Sequence, residues 1–304
     1  MLCGTIGATH QGLNSVLDFL LDRARVPVPS SSLELRIAGR ACGWVAADVP
    51  ARLGALSAEF TLDAHTLHFL PTQAPLVRVL GWPTETVSAL LARVAAELFK
   101  AGRLSGWRNE LLDVVDNGGR VCGVIERAAV RPLGIATHAV HLDAWTPDGD
   151  LWIAQRALTK NTDPGMWDTL VGGLISAGET PEFALERESW EEAGLHAAAL
   201  ASSHRVGQFR VERVLPEGYQ VEIVTVVDCV LAADAHPENQ DGEVITIRAV
   251  SVPEVMRMLA EGAFTLEASL SLLLSLAARG VDTGIDPQAL RRLALPQTDD
   301  DVIG

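Results

Sequence analysis

Residues 172–195 read GGLISAGETPEFALERESWEEAGL, and Glu188, Glu191 and Glu192 stand within a few positions of one another near its end. On a helix, residues three and four apart are neighbours, with Cβ atoms about 5–6 Å apart, so these carboxylates share one face. Two carboxylates at that spacing repel by about 0.75 kcal/mol in bulk water and by about 3 kcal/mol at the effective dielectric of a partly buried cleft. An exposed helix tolerates the repulsion, whereas a cleft requires a cation or a shared proton. Hard oxygen donors without Cys or His among them suit Mg²⁺, with Mn²⁺ as a substitute; such an ion fills its remaining positions with water and substrate phosphate.

The stretch delimits its own helix. Thr180 is placed to cap the N-terminus, Pro181 occupies a first turn that has no use for its N–H, and Gly194 ends the helix. Phe183 and Trp190, seven residues apart, are expected on the side away from Glu188 and Glu192, as a buried anchor under a charged face. The preceding loop, Gly172 to Gly178, is punctuated by glycine, which lets backbone approach a ligand closely.

Around this centre the chain has 304 residues, more than one domain usually holds, and 48% of them are hydrophobic. Against 39 acidic residues stand 24 basic ones, a formal charge of -15, which argues against a nucleic-acid backbone or an anionic membrane as partner. Cysteines 3, 42, 122 and 229 form no C-x-x-C pair and no zinc spacing. No apolar run reaches the ~20 residues needed to cross a bilayer, and no basic start precedes the first apolar residues, so a cytoplasmic location is expected.

The first 130 residues read as an α/β accessory module. Helical periodicity runs over Asn14–Arg25 and Thr84–Lys100, with strand-like runs at Leu33–Ile37 and Thr66–Leu70, and these elements are expected to pack as a unit. Residues 131–295 form the second unit. It opens with strands at Ile135–Leu142 and Leu151–Ala157 around the turn Pro147-Asp148-Gly149-Asp150. After the carboxylate stretch come strands at Gln220–Leu231 and Glu243–Val250 and helices at Pro253–Glu261 and Thr265–Arg279. Residues 296–304, with three consecutive aspartates, are expected to be a frayed acidic tail.

The central stretch resembles the Nudix box, G-x5-E-x7-R-E-U-x-E-E-x-G-U with U a bulky apolar residue, through Gly173, Glu179, Arg187, Glu188, Glu191, Glu192, Gly194 and Leu195. Ser189 departs from the pattern, which has an aliphatic residue there. The resemblance implies an α/β/α sandwich with a mixed sheet, preceded by the small α/β domain, and a Mg²⁺-dependent pyrophosphohydrolase. It implies that Arg187 holds Glu179 in a charge-assisted pair, that Glu188, Glu191 and Glu192 bind the metal, and that Glu188 helps deprotonate water. Arg156, Lys160, Gly172 and Gly173 are candidates for substrate binding, against solvated surface charge as the alternative for the first two. Glu222 and Glu243 are candidates for a further metal ligand, with Glu243 preferred.

A narrower similarity involves Gly106–Glu110, Ile125–Ala128, Gly134-Ile135, His141-Leu142, Trp152–Arg156, Lys160, Pro164–Asp168 and Asn239–Val244. These segments look like the Nudix proteins related to the N-terminal part of fungal thiamine pyrophosphokinases. That group implies cleavage of thiamine diphosphate, or of its oxidised and damaged analogues, to the monophosphate plus phosphate, as metabolite repair. The alternatives are ADP-ribose or another nucleoside-diphosphate-X substrate, a non-catalytic diphosphate-binding module, and a diphosphate isomerase, which relies on a placed cysteine that this stretch lacks. The expected partner is a small-molecule diphosphate, and a homodimer is compatible with the chain. His138 and His141, three apart in a strand, point to opposite faces and are not expected to share a metal. Trp107 and Trp152 are expected in packing more than in stacking on a ligand ring.

Overall fold

A computed structural model describes residues 11–70, 84–160 and 162–295. The expected acidic tail and Cys3 lie outside the described residues. Among these residues no helix is long and apolar enough to cross a membrane.

After a first helix, α1 (Gln11–Ala24), come β1 (Leu33–Ile37), β2 (Arg40–Val45), a short α2 (Val49–Arg52), β3 (Phe60–Leu62) and β4 (Thr66–Phe69), paired in the order β2-β1-β4-β3. Helix α3 (Thr84–Lys100) buries Val87, Leu90, Leu91, Val94 and Leu98, the i, i+3, i+4 stripe its periodicity announces. It packs with the sheet residues Leu35, Ile37, Leu67 and Phe69 and with the hairpin β5 (Leu111–Val115) and β6 (Val121–Glu126) in one apolar cluster.

The larger sheet is built from β7 (Ala136–Trp145), β8 (Leu151–Arg156), β9 (Trp167–Thr169), β10 (Val171–Leu174), β11 (His204–Leu215), β12 (Gly218–Val230) and β13 (Val244–Val250). Its order is β11-β12-β7-β8-β13, with β12 parallel to β7 and the other pairs antiparallel. Strands β7 and β8 pair only at Trp145 and Leu151, beside the turn at Pro147–Gly149, and then diverge. The gap is filled by β9 on β8 and β10 on β7, and this insertion brings Gly172 opposite His141 and Gly173 opposite Val140.

Helix α4 (Pro181–Ala193) covers one face, over Val140, Leu142, Ala144 and Val227. The other face lies under α5 (Val252–Ala260), α6 (Leu266–Ala278), α7 (Pro287–Leu293) and α1. A mixed sheet between helical layers is the α/β/α sandwich expected.

Two expectations need correction. Helix α1 does not pack with β1–β4: Leu13, Val16, Leu17, Leu20 and Leu21 join the core of the larger sheet, because their apolar stripe covers surface that α5 and α6 leave open. Phe183 and Trp190 are not a buried anchor. They are 58% and 44% exposed, and Trp190 stacks on His196 at 4.5 Å. The buried face of α4 is instead Ala184, Leu185, Ser189, Glu192 and Ala193. Small side chains let the helix approach the sheet closely enough to bring its carboxylates to the strands. Ser189 is fully enclosed, and its hydroxyl has no partner.

Beneath α6 two carboxylates meet across the parallel pair, Asp143 on β7 opposite Asp228 on β12, both with no exposed surface. Asp143 Oδ2 accepts from the Ser271 hydroxyl at 2.8 Å and Asp228 Oδ2 from Arg279 Nε at 2.9 Å. Among the described residues the Oδ1 atom of each has no partner. Burial, then the neighbouring Asp228 charge, push the Asp143 carboxyl well above the usual carboxylate range. An acid raised on folding favours the folded state most below its unfolded pKa of about 3.9, and that contribution is lost as pH climbs towards the folded value. Asp143→Asn is therefore expected to raise the denaturant midpoint at pH 8, by about 1–3 kcal/mol. It should also flatten the decline of stability as pH rises above about 4; an unchanged slope with equal or lower stability contradicts this reading.

Candidate active site

The site begins with two glycines on β10. A Cβ on Gly173 would lie 2.0 Å from Glu188 Cδ, so any other residue would displace this carboxylate from its place against the strand. A Cβ on Gly172 would meet the His141 ring at 3.0 Å on the other side. The Gly172 N–H donates to Glu192 Oε2 at 2.9 Å. Helix α4 has the expected ends, with the Thr180 hydroxyl accepting from Phe183 N and Gly194 in the left-handed region at φ 64°.

Arg187 is the hub. Its Nε and Nη2 donate to Glu179 Oε1 and Oε2, each at 2.9 Å, its Nη1 to Glu188 Oε1 at 2.7 Å and Glu191 Oε2 at 3.3 Å, and Nη2 also to the Leu174 carbonyl at 3.1 Å. One guanidinium thus ties strand, loop and helix together. The Arg187 pair, foremost, holds the Glu179 carboxyl below its ordinary value. Burial does the opposite to two glutamates of α4: it raises Glu188, and it pushes Glu192 up to about 8.

The loop between β10 and α4 rests on the leading hairpin. Ala177 N donates to the Leu111 carbonyl at 2.8 Å, Gly178 N to Asp113 at 3.2 Å and the Ser176 hydroxyl to Glu110 at 3.0 Å. Glu110 in turn pairs with Arg127 at 2.6 Å. Sequence reading did not assign Glu110 or Arg127 to the site, although both lie in the segments Gly106–Glu110 and Ile125–Ala128 that it singled out.

Among the cleft's cations, Arg156 is engaged: its Nη1 donates to Asp168 at 2.7 Å and its other nitrogens to the Thr162 carbonyl. Lys160 ion-pairs with Glu243 and stands 3.8 Å from Glu192 Oε1, which brings the predicted Glu243 to the same wall. Glu222 lies on the far wall, 3.2 Å from the Thr137 hydroxyl, and the structure does not gather it with the trio. Arg156, Lys160, Glu188, Glu191, Glu222 and Glu243 line one cleft of about 630 Å³, together with Arg108, Arg131, His141, Asp168, Arg213 and Glu267, while the buried Glu192 is not part of its lining. Neither Trp107, which packs edge-on against Phe99, nor Trp152, which packs under α4, is part of its lining.

Residues 136–270 match the family profile of the NUDIX domain. The chain carries a Nudix domain. It is similar to Nudix hydrolase 20, chloroplastic, of Arabidopsis thaliana, with 32% identity over 190 residues, 60% of this chain and 50% of the relative. Nudix hydrolase 24, chloroplastic, of the same plant is 32% identical over 190 residues, covering 61% of this chain and 52% of its own length. The chain thus spans about half the length of these relatives. The crystal structure of DR0079 from Deinococcus radiodurans aligns with 25% identity over 55% of this chain and 98% of that one, at a TM-score of 0.41.

The Nudix domain's donor set fits a hard divalent cation. Among the described residues no three metal-ligating side chains already converge on a point; the carboxylates lean on Arg187 and Lys160 instead. Glu192 is the informative member, a buried carboxylate whose opposing charge is a lysine 3.8 Å away. A cation held by Glu188, Glu191 and Glu192 would supply the charge that burial leaves lacking. The close passage of β10 under Glu188 is directly testable: Gly173→Ala is expected to cost about 1–3 kcal/mol of stability by overpacking, read as a lower denaturant midpoint. An unchanged midpoint would show that Glu188 is not wedged against the strand.

Proposed function

We propose that this protein is a divalent-cation-dependent pyrophosphohydrolase whose preferred substrates are thiamine diphosphate and its oxidised or damaged analogues, cleaved to the monophosphate and phosphate. The observation that carries the reaction class is that Glu188 and Glu191 line the cleft beside Gly172 and Gly173, with the buried Glu192 held against the Gly172 N–H at 2.9 Å. There the half-buried Arg187–Glu179 pair fixes their approach, and Lys160 and Arg127 stand by for phosphate oxygens. When bound, Mg²⁺ or Mn²⁺ polarises the diphosphate and lowers the pKa of water.

The protein's own residues do the rest. Arg187 orients Glu188 and Glu191, the Gly172 N–H orients Glu192, and the cations of the rim offset substrate charge. Water adds to one phosphorus, the P–O bond of the anhydride breaks, and a carboxylate of the trio takes the water's proton, the role proposed for Glu188.

The far wall supports the choice of substrate. Glu267 and Glu217 there are matched by Arg213 and Arg131, which leaves Glu222 as the carboxylate without a cation, and among the described residues no aromatic side chain lines the cleft; this suits an amino-bearing ring better than stacking on adenine. Isomerase chemistry of the kind that needs a cysteine has no support here: Cys42, Cys122 and Cys229 are buried and none lines the cleft.

A phosphate-release panel with Mg²⁺ or Mn²⁺ over thiamine diphosphate, oxothiamine diphosphate, oxythiamine diphosphate, ADP-ribose and dinucleotides tests the proposal. Phosphate and a thiamine-type monophosphate are expected, with Glu192→Gln slowing turnover about 100-fold, the upper end of what losing a ligand's supporting partner costs. AMP from ADP-ribose with nothing from the thiamine compounds would reject the substrate, and no metal-dependent turnover at all would reject the reaction class.

A further inference from the structure

The far wall of the cleft has an unbalanced hydrogen-bond inventory. Its donors are turned towards protein acceptors. The Thr169 hydroxyl donates to the Val171 carbonyl at 2.8 Å, Thr265 Oγ1 lies 3.5 Å from Asp168 Oδ1, and the single proton of Thr137 is shared between the Val221 carbonyl at 3.3 Å and Glu222 at 3.2 Å. Arg213 donates to Gln220 Oε1 at 2.7 Å and Glu267 Oε1 at 3.0 Å, and Gln220 Nε2 also faces Glu267 at 3.3 Å.

His141 sits in the middle of this wall and is 6% exposed. Its Nδ1 is 3.0 Å from Thr169 Oγ1. A hydroxyl has one proton, and Thr169 gives its own to Val171, so it meets Nδ1 with a lone pair and Nδ1 carries the ring proton. Asp168 Oδ1, 3.9 Å from the same nitrogen, favours that tautomer. Nε2 is then a bare acceptor on a ring that lines the cleft, and no donor meets it among the described residues. The ring packs over Gly172, where a Cβ would meet it at 3.0 Å.

We propose that His141 Nε2 is the acceptor through which the cleft recognises a hydroxyl or amino donor on the non-phosphate part of its substrate. The proposal rests on the hydrolase reading for the identity of the ligand, and it makes His141 a specificity-determining residue. The balance of the wall decides the ligand's polarity: a group that brings only acceptors would leave Nε2 unmet, whereas a donor satisfies it.

The experiment has two readouts. Long-range ¹H–¹⁵N spectra of histidine-labelled wild-type protein in EDTA, where no turnover occurs, are expected to show Nδ1 protonated and Nε2 bare. The Nε2 resonance should move on adding thiamine diphosphate or ADP-ribose and stay in place with inorganic pyrophosphate. A protonated Nε2, an equal response to pyrophosphate, or no response to any donor-bearing compound overturns the proposal.

For the compound that the wild type turns over fastest, His141→Phe is expected to raise KM about tenfold with kcat within about twofold, and His141→Gln to recover most of the loss. A fall in kcat at unchanged KM in His141→Phe would overturn it as well. If no compound is turned over, the hydrolase reading fails by itself, and the spectra still decide the role of His141.

Discussion

The site depends on one close contact, the passage of the Gly172-Gly173 strand beneath the carboxylates of α4. At Gly173 there is no room for a Cβ beside Glu188, and at Gly172 the free N–H is the hydrogen-bond donor for Glu192. Helix and strand can approach that far because Ala184, Ser189 and Ala193 make up most of the face that the helix buries. The consequence is electrostatic. Carboxylates that would be unremarkable on a surface are drawn into a cleft where burial opposes their charge, and Arg187 alone cannot balance them.

The leading module has a physical role in this arrangement. Its hairpin supplies Leu111, Asp113 and Glu110 as acceptors for the loop that joins strand to helix, and Arg127 as a cation on the rim. In exchange, α1 fills the opposite side of the larger sheet. The two parts of the chain therefore share both a core and a cleft, and the far wall, with His141 between Thr169 and Glu267, is built on the surface that α6 presents.

What the sequence made legible was whatever carries a local signal. Helix α3 runs over Thr84–Lys100 as its apolar period indicates, α4 has the cap and the terminal glycine that Thr180 and Gly194 announce, and the turn at Pro147–Gly149 separates β7 from β8. Strand β11 was missed because its alternation is broken by a register shift between Arg205 and Gly207 and by Arg213 at an inward position. The same Arg213, paired with Glu267 from an otherwise apolar helix, builds the far wall; a lone glutamate at the head of the Leu-rich α6 was the available hint. The exposure of Phe183 and Trp190 was not readable from period alone, since the side of α4 that faces the sheet is set by how closely the strand approaches. The sequence places His141 in a strand, but the tautomer of its ring is set by what meets Nδ1, and Thr169 is brought to that nitrogen only by the fold.

The central claim is that Glu188 and Glu192 are held beside β10 in order to bind a divalent cation. Electron paramagnetic resonance of Mn²⁺ titrated with the purified protein tests it most directly. The account predicts that the free Mn²⁺ signal falls as wild-type protein is added and persists with a folded Glu188→Gln, Glu192→Gln double variant. An equal loss of signal with both proteins, or none with the wild type in the presence or absence of thiamine diphosphate, would contradict it.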